Sequence, residues 1–149
     1  SQIGYEFFGL AFDWAKNATV VASAGDPQRV AKTFYIDYSI EEENSKSDVV
    51  FDRIMALLAN GNPIDGIGFQ SHFGGTPNFA SIAANWQRFQ DSPIQEMAIS
   101  ELDVFQTECT VSGFYDNQAA IYASIAGLFK SYSKFRYFTT WGLSDKYSW

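Results

Sequence analysis

Apolar positions along this chain switch repeatedly between a helical spacing and an extended one. Over residues 2–17, Tyr5, Phe8, Phe12 and Ala15 recur at i, i+3, i+7 and i+10, which places them on one face of a helix. Gly25-Asp26-Pro27 predicts a loop, and the β-branched and aromatic run Thr33-Phe34-Tyr35-Ile36-Asp37-Tyr38 predicts a strand. Ser47 is positioned to cap a second helix carrying Val50, Ile54 and Leu57, which Asn60-Gly61 closes. A second strand is expected over residues 64–72, where Gly66 and Gly68 let neighbouring chains approach closely. Phe79, Ile82, Trp86 and Phe89 mark a third helix, and residues 97–104 a third strand. Ile121, Ile125, Leu128 and Tyr132 mark a fourth helix, and residues 137–141 a fourth strand.

Strands that alternate with helices pair in parallel, cross over right-handedly and lie beneath a helical layer. An eight-stranded barrel takes about 250 residues, whereas a doubly wound sheet closes at the 149 residues present. No glycine-rich phosphate fingerprint follows any of the strands, since Gly66-Ile67-Gly68 lies inside one. Half of a barrel is the better fit, with Phe69, Ile99 and Phe138 expected on its inner face.

Composition narrows the chemistry. With 46% hydrophobic and 18% charged residues the chain is not a disordered one. Ten Lys plus Arg against 17 Asp plus Glu give a formal charge of −7, with no basic cluster to meet a phosphate backbone, so a nucleic-acid partner is excluded. One His and one Cys cannot build a His/Cys metal site, and Cys109 has no partner within the chain. No apolar stretch reaches membrane-spanning length, so no membrane partner is expected. Asn17-Ala18-Thr19 fits the N-glycosylation pattern, whose context would be a surface loop of a secreted protein; chance produces the same triplet. The reading is a secreted, extracellular protein. The 14 Phe, 8 Tyr and 4 Trp are an unusual content, some of it core, and rings beside a cleft also suit flat apolar ligands such as sugar faces.

Polar residues gather at the C-terminal ends of the expected strands, where barrel enzymes keep their chemistry. Gln70 and His72 lie two apart and leave one face of their strand, and Glu101 and Asp103 repeat this on the next. On neighbouring strands they put one histidine and two carboxylates on one rim. A histidine there can orient a nucleophilic Glu and hold it ionised. A rim of solvated polar side chains around a hydrogen-bonded histidine is the alternative.

Three segments also resemble a known family. Residues 63–73, Pro-Ile-Asp-Gly-Ile-Gly-Phe-Gln-Ser-His-Phe, resemble the sixth-strand signature of glycoside hydrolase family 10, the retaining endo-β-1,4-xylanases. Ile99-Ser100-Glu101-Leu102-Asp103-Val104 resembles the nucleophile strand of that family, and residues 140–149 its eighth strand and following loop. Asp37-Tyr38-Ser39-Ile40-Glu41 is a weaker version of its fifth-strand motif, with Ile36 and Ser39 where the family carries Asn. The resemblance runs from end to end, in order. It implies an α/β fold, a (β/α)8 TIM barrel of which this chain supplies roughly strands five to eight. It implies Glu101 as the nucleophile, His72 hydrogen-bonded to it, and Asp103 behind the histidine. Gln70 would contact the sugar at the cleavage point, Trp141 and Trp149 would wall the subsite beside the nucleophile, and Tyr38 the leaving-group side. Substrate would be xylan or a xylo-oligosaccharide, and no cofactor is implied, since carboxylates carry the double displacement.

In this family the acid/base is the Glu of an Asn-Glu pair ending the fourth strand, and no Glu here follows Asn at a strand end. The expectation is that residues 1–149 form the C-terminal half of the catalytic domain, active only once the N-terminal half of the barrel, or another chain supplying it, is present. A non-catalytic carbohydrate-binding or structural relative in a larger assembly, and a half barrel that pairs with itself, remain open.

Overall fold

The computed structural model describes residue 4, residues 6–105 and 113–144, and residues 146 and 148. Tyr5, Cys109 and Trp149, named above, lie outside the described residues. Helix α1 (Glu6–Ala22) is followed by a single 3-10 turn (Pro27–Arg29) and strand β1 (Phe34–Asp37). Then come α2 (Ser45–Ala59), β2 (Gly66–Phe69), β3 (His72–Phe73), α3 (Phe79–Asp91), β4 (Glu96–Val104), α4 (Phe114–Ser131) and β5 (Phe135–Thr140). β1 pairs with β2, β2 and β3 pair with successive stretches of β4, and β4 pairs with β5, all in parallel. Among the described residues, β1 and β5 are the sheet's outer strands.

Several elements depart from the sequence reading for identifiable reasons. α1 continues past residue 17, so Asn17 is an exposed helical residue rather than part of a loop, and Ala15, though exposed, shares with Phe8 and Phe12 the face turned toward β1. Ser47 is not the cap of α2. Asn44 caps it, its side chain accepting from the N–H of Lys46 and Ser47, while the Ser47 hydroxyl returns a bond to the Asn44 backbone. Ser47 therefore completes a reciprocal capping box from the third helical position. The strand expected over residues 64–72 is split, because Ser71 adopts a left-handed φ of +66° between β2 and β3.

The helices bury the outer face of the sheet. Phe69, Trp86, Phe89 and Phe135 form its aromatic centre, with Trp86 and Phe135 ring centroids 4.6 Å apart and Phe69 5.6 Å from both Trp86 and Phe89. Full burial of each such ring contributes about 1.5–3 kcal/mol. Phe69 and Ile99 are fully buried here, and Phe138 meets Phe129 of α4 at 5.2 Å. These three belong under the helices, not on the inner face as the sequence suggested. The inner face is lined instead by small and alternate residues: Phe34 and Ile36 lie across Gly66 and Gly68, facing Ala98, Ser100 and Tyr137. A Cβ at Gly66 would stand 2.2 Å from the Phe34 ring, so this crossing requires glycine.

Candidate active site

Past Ile99, strand β4 carries one residue more than its neighbours. Ile99 pairs with Phe138 and Leu102 with Thr140, so β4 advances three residues while β5 advances two. On the other side Ile99 pairs with Phe69 and Asp103 with His72, four residues against three. The extra residue lies between Ile99 and Leu102. Met97, Ile99, Leu102 and Val104 are all buried, while Ser100 and Glu101 are both half-buried. A bulge of this kind re-aims a side chain. Without it, Glu101 would share the buried face of Met97 and Ile99.

The kink at Ser71 does the corresponding work for the histidine. Ser71 and Phe73 are buried, Gln70 and His72 half-buried. Its carbonyl accepts from the Asp103 N–H at 3.3 Å, its N–H donates to Glu41 Oε1 at 2.6 Å, and the next residue, His72, lies in register with Asp103. The His72 ring then stands between two carboxylates: Nδ1 is 2.8 Å from Asp103 Oδ1 and Nε2 is 3.4 Å from Glu101 Oε2. With Nδ1–H donating to Asp103, the ring presents Nε2 to Glu101, and as an imidazolium it faces that carboxylate with a positive charge. Trp141, just beyond β5, meets the His72 ring edge to face, with centroids 6.0 Å apart and planes at 85°. Trp141 is 43% exposed and its backbone N–H donates to the Leu102 carbonyl at 2.9 Å, which fixes its place beside the histidine.

Glu101, His72, Asp103 and Trp141 thus come together. Gln70 and Tyr38 occupy the C-terminal ends of β2 and β1, joined through the Gln70 N–H donating to the Asp37 carbonyl at 3.0 Å. Tyr38 is 58% exposed and engaged by Lys46, whose Nζ sits 3.3 Å from the ring centre while bonding Asp37 Oδ1 at 2.7 Å and the Tyr38 carbonyl at 2.6 Å. The cation holds the ring at the strand end. Sequence reasoning missed Lys46, and also Glu41, which is 4% exposed. Burial pushes the Glu41 carboxyl up, against the pull of the Ser71 N–H and of His72.

Parallel strands joined through helices carry two carboxylates and a histidine at their C-terminal ends, the end at which barrel enzymes keep their chemistry. The chain belongs to glycosyl hydrolase family 10, whose family model matches residues 1–149. It is 37% identical over 150 residues to endo-1,4-beta-xylanase B of Thermotoga neapolitana, covering 99% of this chain and 40% of that protein. The crystal structure of xylanase 10B from Thermotoga petrophila in complex with xylobiose superposes with a TM-score of 0.84 at 36% identity, over 99% of this chain and 43% of that one. TsXylA, an intracellular xylanase from Thermoanaerobacterium saccharolyticum, gives a TM-score of 0.76 at 30% identity, over 92% of this chain and 42% of that one. The chain spans about 40% of the length of each of these three and supplies part of a (β/α)8 barrel. Among the described residues no helix is long and apolar enough to cross a membrane.

Proposed function

We propose that this chain is the C-terminal half of the catalytic domain of a retaining endo-β-1,4-xylanase, contributing roughly strands five to eight and the nucleophile. The observation that carries this reading is the Asp103–His72–Glu101 arrangement, 2.8 Å on one side of the ring and 3.4 Å on the other. Asp103 fixes the imidazole, the imidazole orients Glu101, and Glu101 attacks the anomeric carbon to form a glycosyl-enzyme. Gln70, Trp141 and Trp149 hold the sugar on the nucleophile's side, and Tyr38 the leaving-group side. The acid/base carboxyl, needed about 5–5.5 Å from Glu101, comes from the remainder of the barrel. The xylanase identity of the relatives, one of them holding xylobiose, supports xylan and xylo-oligosaccharides as substrates. The reading includes secretion as the route to polymeric xylan, although TsXylA works inside the cell.

The test is covalent trapping. A 2-deoxy-2-fluoro xylobioside with a good leaving group, incubated with the full-length protein, should add one disaccharide to the peptide carrying Glu101. Labelling at another carboxylate, or a product of inverted anomeric configuration, would remove Glu101 from this role.

A further inference from the structure

Glu41, Glu42 and Glu43 follow one another, and the fold treats them differently. Glu43 is exposed and Glu42 half-buried, its Oε1 accepting from the Asn78 N–H at 2.9 Å. Glu41 turns inward and is 4% exposed. A carboxylate so placed is costly unless its oxygens are used. Its Oε1 takes the N–H of Ser71 at 2.6 Å, in a fully buried contact.

That bond lands on the residue whose backbone sets the histidine. Ser71 holds a left-handed φ of +66° without being glycine, a conformation that an L side chain keeps only when its surroundings impose it. Its N–H is held by Glu41 and its carbonyl by the Asp103 N–H, so both backbone groups of the residue preceding His72 are tied. Glu41 is itself fixed from behind. The Nδ2 of fully buried Asn85 donates to the Ile40 carbonyl at 2.7 Å and the Glu41 carbonyl at 3.1 Å, and Arg88 donates to Asn85 Oδ1 at 2.5 Å. A continuous set of hydrogen bonds therefore runs from helix α3 to the peptide that aims His72.

We infer that Glu41 is a positioning residue for His72: its buried carboxylate holds the left-handed turn at Ser71 that sets the imidazole between Asp103 and Glu101. This rests on the reading of His72 as the group that orients the nucleophile. Glu41 acts chiefly through the Ser71 N–H, beside a through-space attraction between its carboxylate and His72. The Glu41 carboxyl is raised above its ordinary value by burial, against the opposing bond from the Ser71 N–H.

A double-mutant cycle in the full-length protein tests this, with kcat and KM measured on a xylo-oligosaccharide below the melting temperature of every variant. Glu41→Ala should lower kcat by about tenfold or more and leave KM within about threefold, because a displaced imidazole spoils the orientation of the nucleophile and not sugar binding. In a His72→Ala background the same substitution should change kcat by less than about twofold, since there is no ring left to aim. Glu41→Gln, which keeps an acceptor oxygen at the same reach, should retain more of kcat than Glu41→Ala. Where Glu41→Ala does not fold, Glu41→Asp, whose oxygen falls one methylene short of Ser71, takes its place in the cycle with the same expectation. Equal losses in both backgrounds, or a loss confined to melting temperature, would overturn the role of Glu41 while leaving that of His72 intact. If His72→Ala alone leaves kcat unchanged, the reading of the site fails and this inference with it.

Discussion

His72 Nε2 stands 3.4 Å from Glu101 Oε2, while the opposite ring nitrogen is tied to Asp103 at 2.8 Å. The closer bond fixes the ring and the looser one faces the more exposed carboxylate, with side-chain exposures of 14% for Asp103 and 24% for Glu101. On the proposed reading Glu101, the more exposed of the two, is the one that meets the sugar. Glu101→Gln keeps the shape and loses the nucleophile, so kcat should fall about a thousandfold or more. Xylo-oligosaccharide affinity, measured by calorimetry on the full-length protein, should stay within about threefold, since the amide fills the same volume. Loss of binding in step with turnover would make Glu101 a binding residue instead.

A second carboxylate controls stability and not chemistry. Asp65 Oδ2 accepts from Lys16 Nζ at 2.7 Å, the Thr33 N–H at 2.6 Å and the Thr33 hydroxyl at 3.0 Å, fastening α1 and β1 to the chain entering β2. Burial alone would raise its pKa, but Lys16 and Thr33 outweigh burial and hold the carboxyl below the ordinary value. A depressed folded-state pKa gives stability that is present above the unfolded value, near pH 4, and lost as pH falls through the folded one. Asp65→Asn should therefore cost about 1–3 kcal/mol at pH 7. The gap between variant and parent should be narrower at pH 3 than at pH 7, closing only as pH falls below the folded value. Urea titrations at the two pH values measure it, and a gap independent of pH would assign the effect to packing.

Ser39 offers a gain in stability. It holds φ at +54°, the left-handed region that costs most side chains about 1–2 kcal/mol and that Asn tolerates better. Ser39→Asn should stabilise the full-length protein by about 0.5–1 kcal/mol. A fall in the denaturation midpoint would show that the asparagine side chain meets an obstacle at this turn.

The chain of 149 residues on its own should release no reducing sugar from xylan. Retaining hydrolysis needs two carboxyl groups about 5–5.5 Å apart on opposite sides of the bond. Asp103, the carboxylate paired with Glu101 through His72, is committed to Nδ1. Residues of the inner face and the outer strand, Ile36 at 48% and Tyr137 at 50% exposure, await burial by further strands. Supplying the other part of the barrel in trans should restore hydrolysis. Cleavage by the isolated chain would show that it contains its own acid.

Much of this architecture can be read directly from residue spacing. The apolar rows of α3 (i, i+3, i+7) and α4 (i, i+4, i+7) survive because each packs one helical face against the sheet. Even the bulge of β4 is written in the sequence: apolar residues stand at 97, 99, 102 and 104, and the two-residue rhythm slips at Ser100-Glu101. The break at Ser71 was illegible, since a serine gives no sign of a left-handed backbone that a distant Glu41 imposes. The inner face misled because its positions on β2 and β4 are Gly, Ala and Ser, so the large residues belong to the other side. Glu41 was hidden in a run of three acids that reads as solvated surface; only the packing of α3 against the β1 end separates the first from the other two.

The extra residue in β4 also makes strand length a catalytic variable. The hydrophobic residues on either side of it are anchored under the helices, at Ile99 and at Leu102, and neither can slide. Removing Ser100 would restore an even rhythm to the strand with Ile99 and Leu102 still buried and Glu101 still on the cleft side, yet it would abolish the bulge that sets the aim of Glu101 toward His72. The barrel could survive such a deletion as a well-packed object and still have no chemistry. Insertions and deletions in this segment are therefore expected to be far more damaging than substitutions at Ser100 itself, and the reading frame of the strand, more than any one side chain in it, is what an engineer would have to leave untouched.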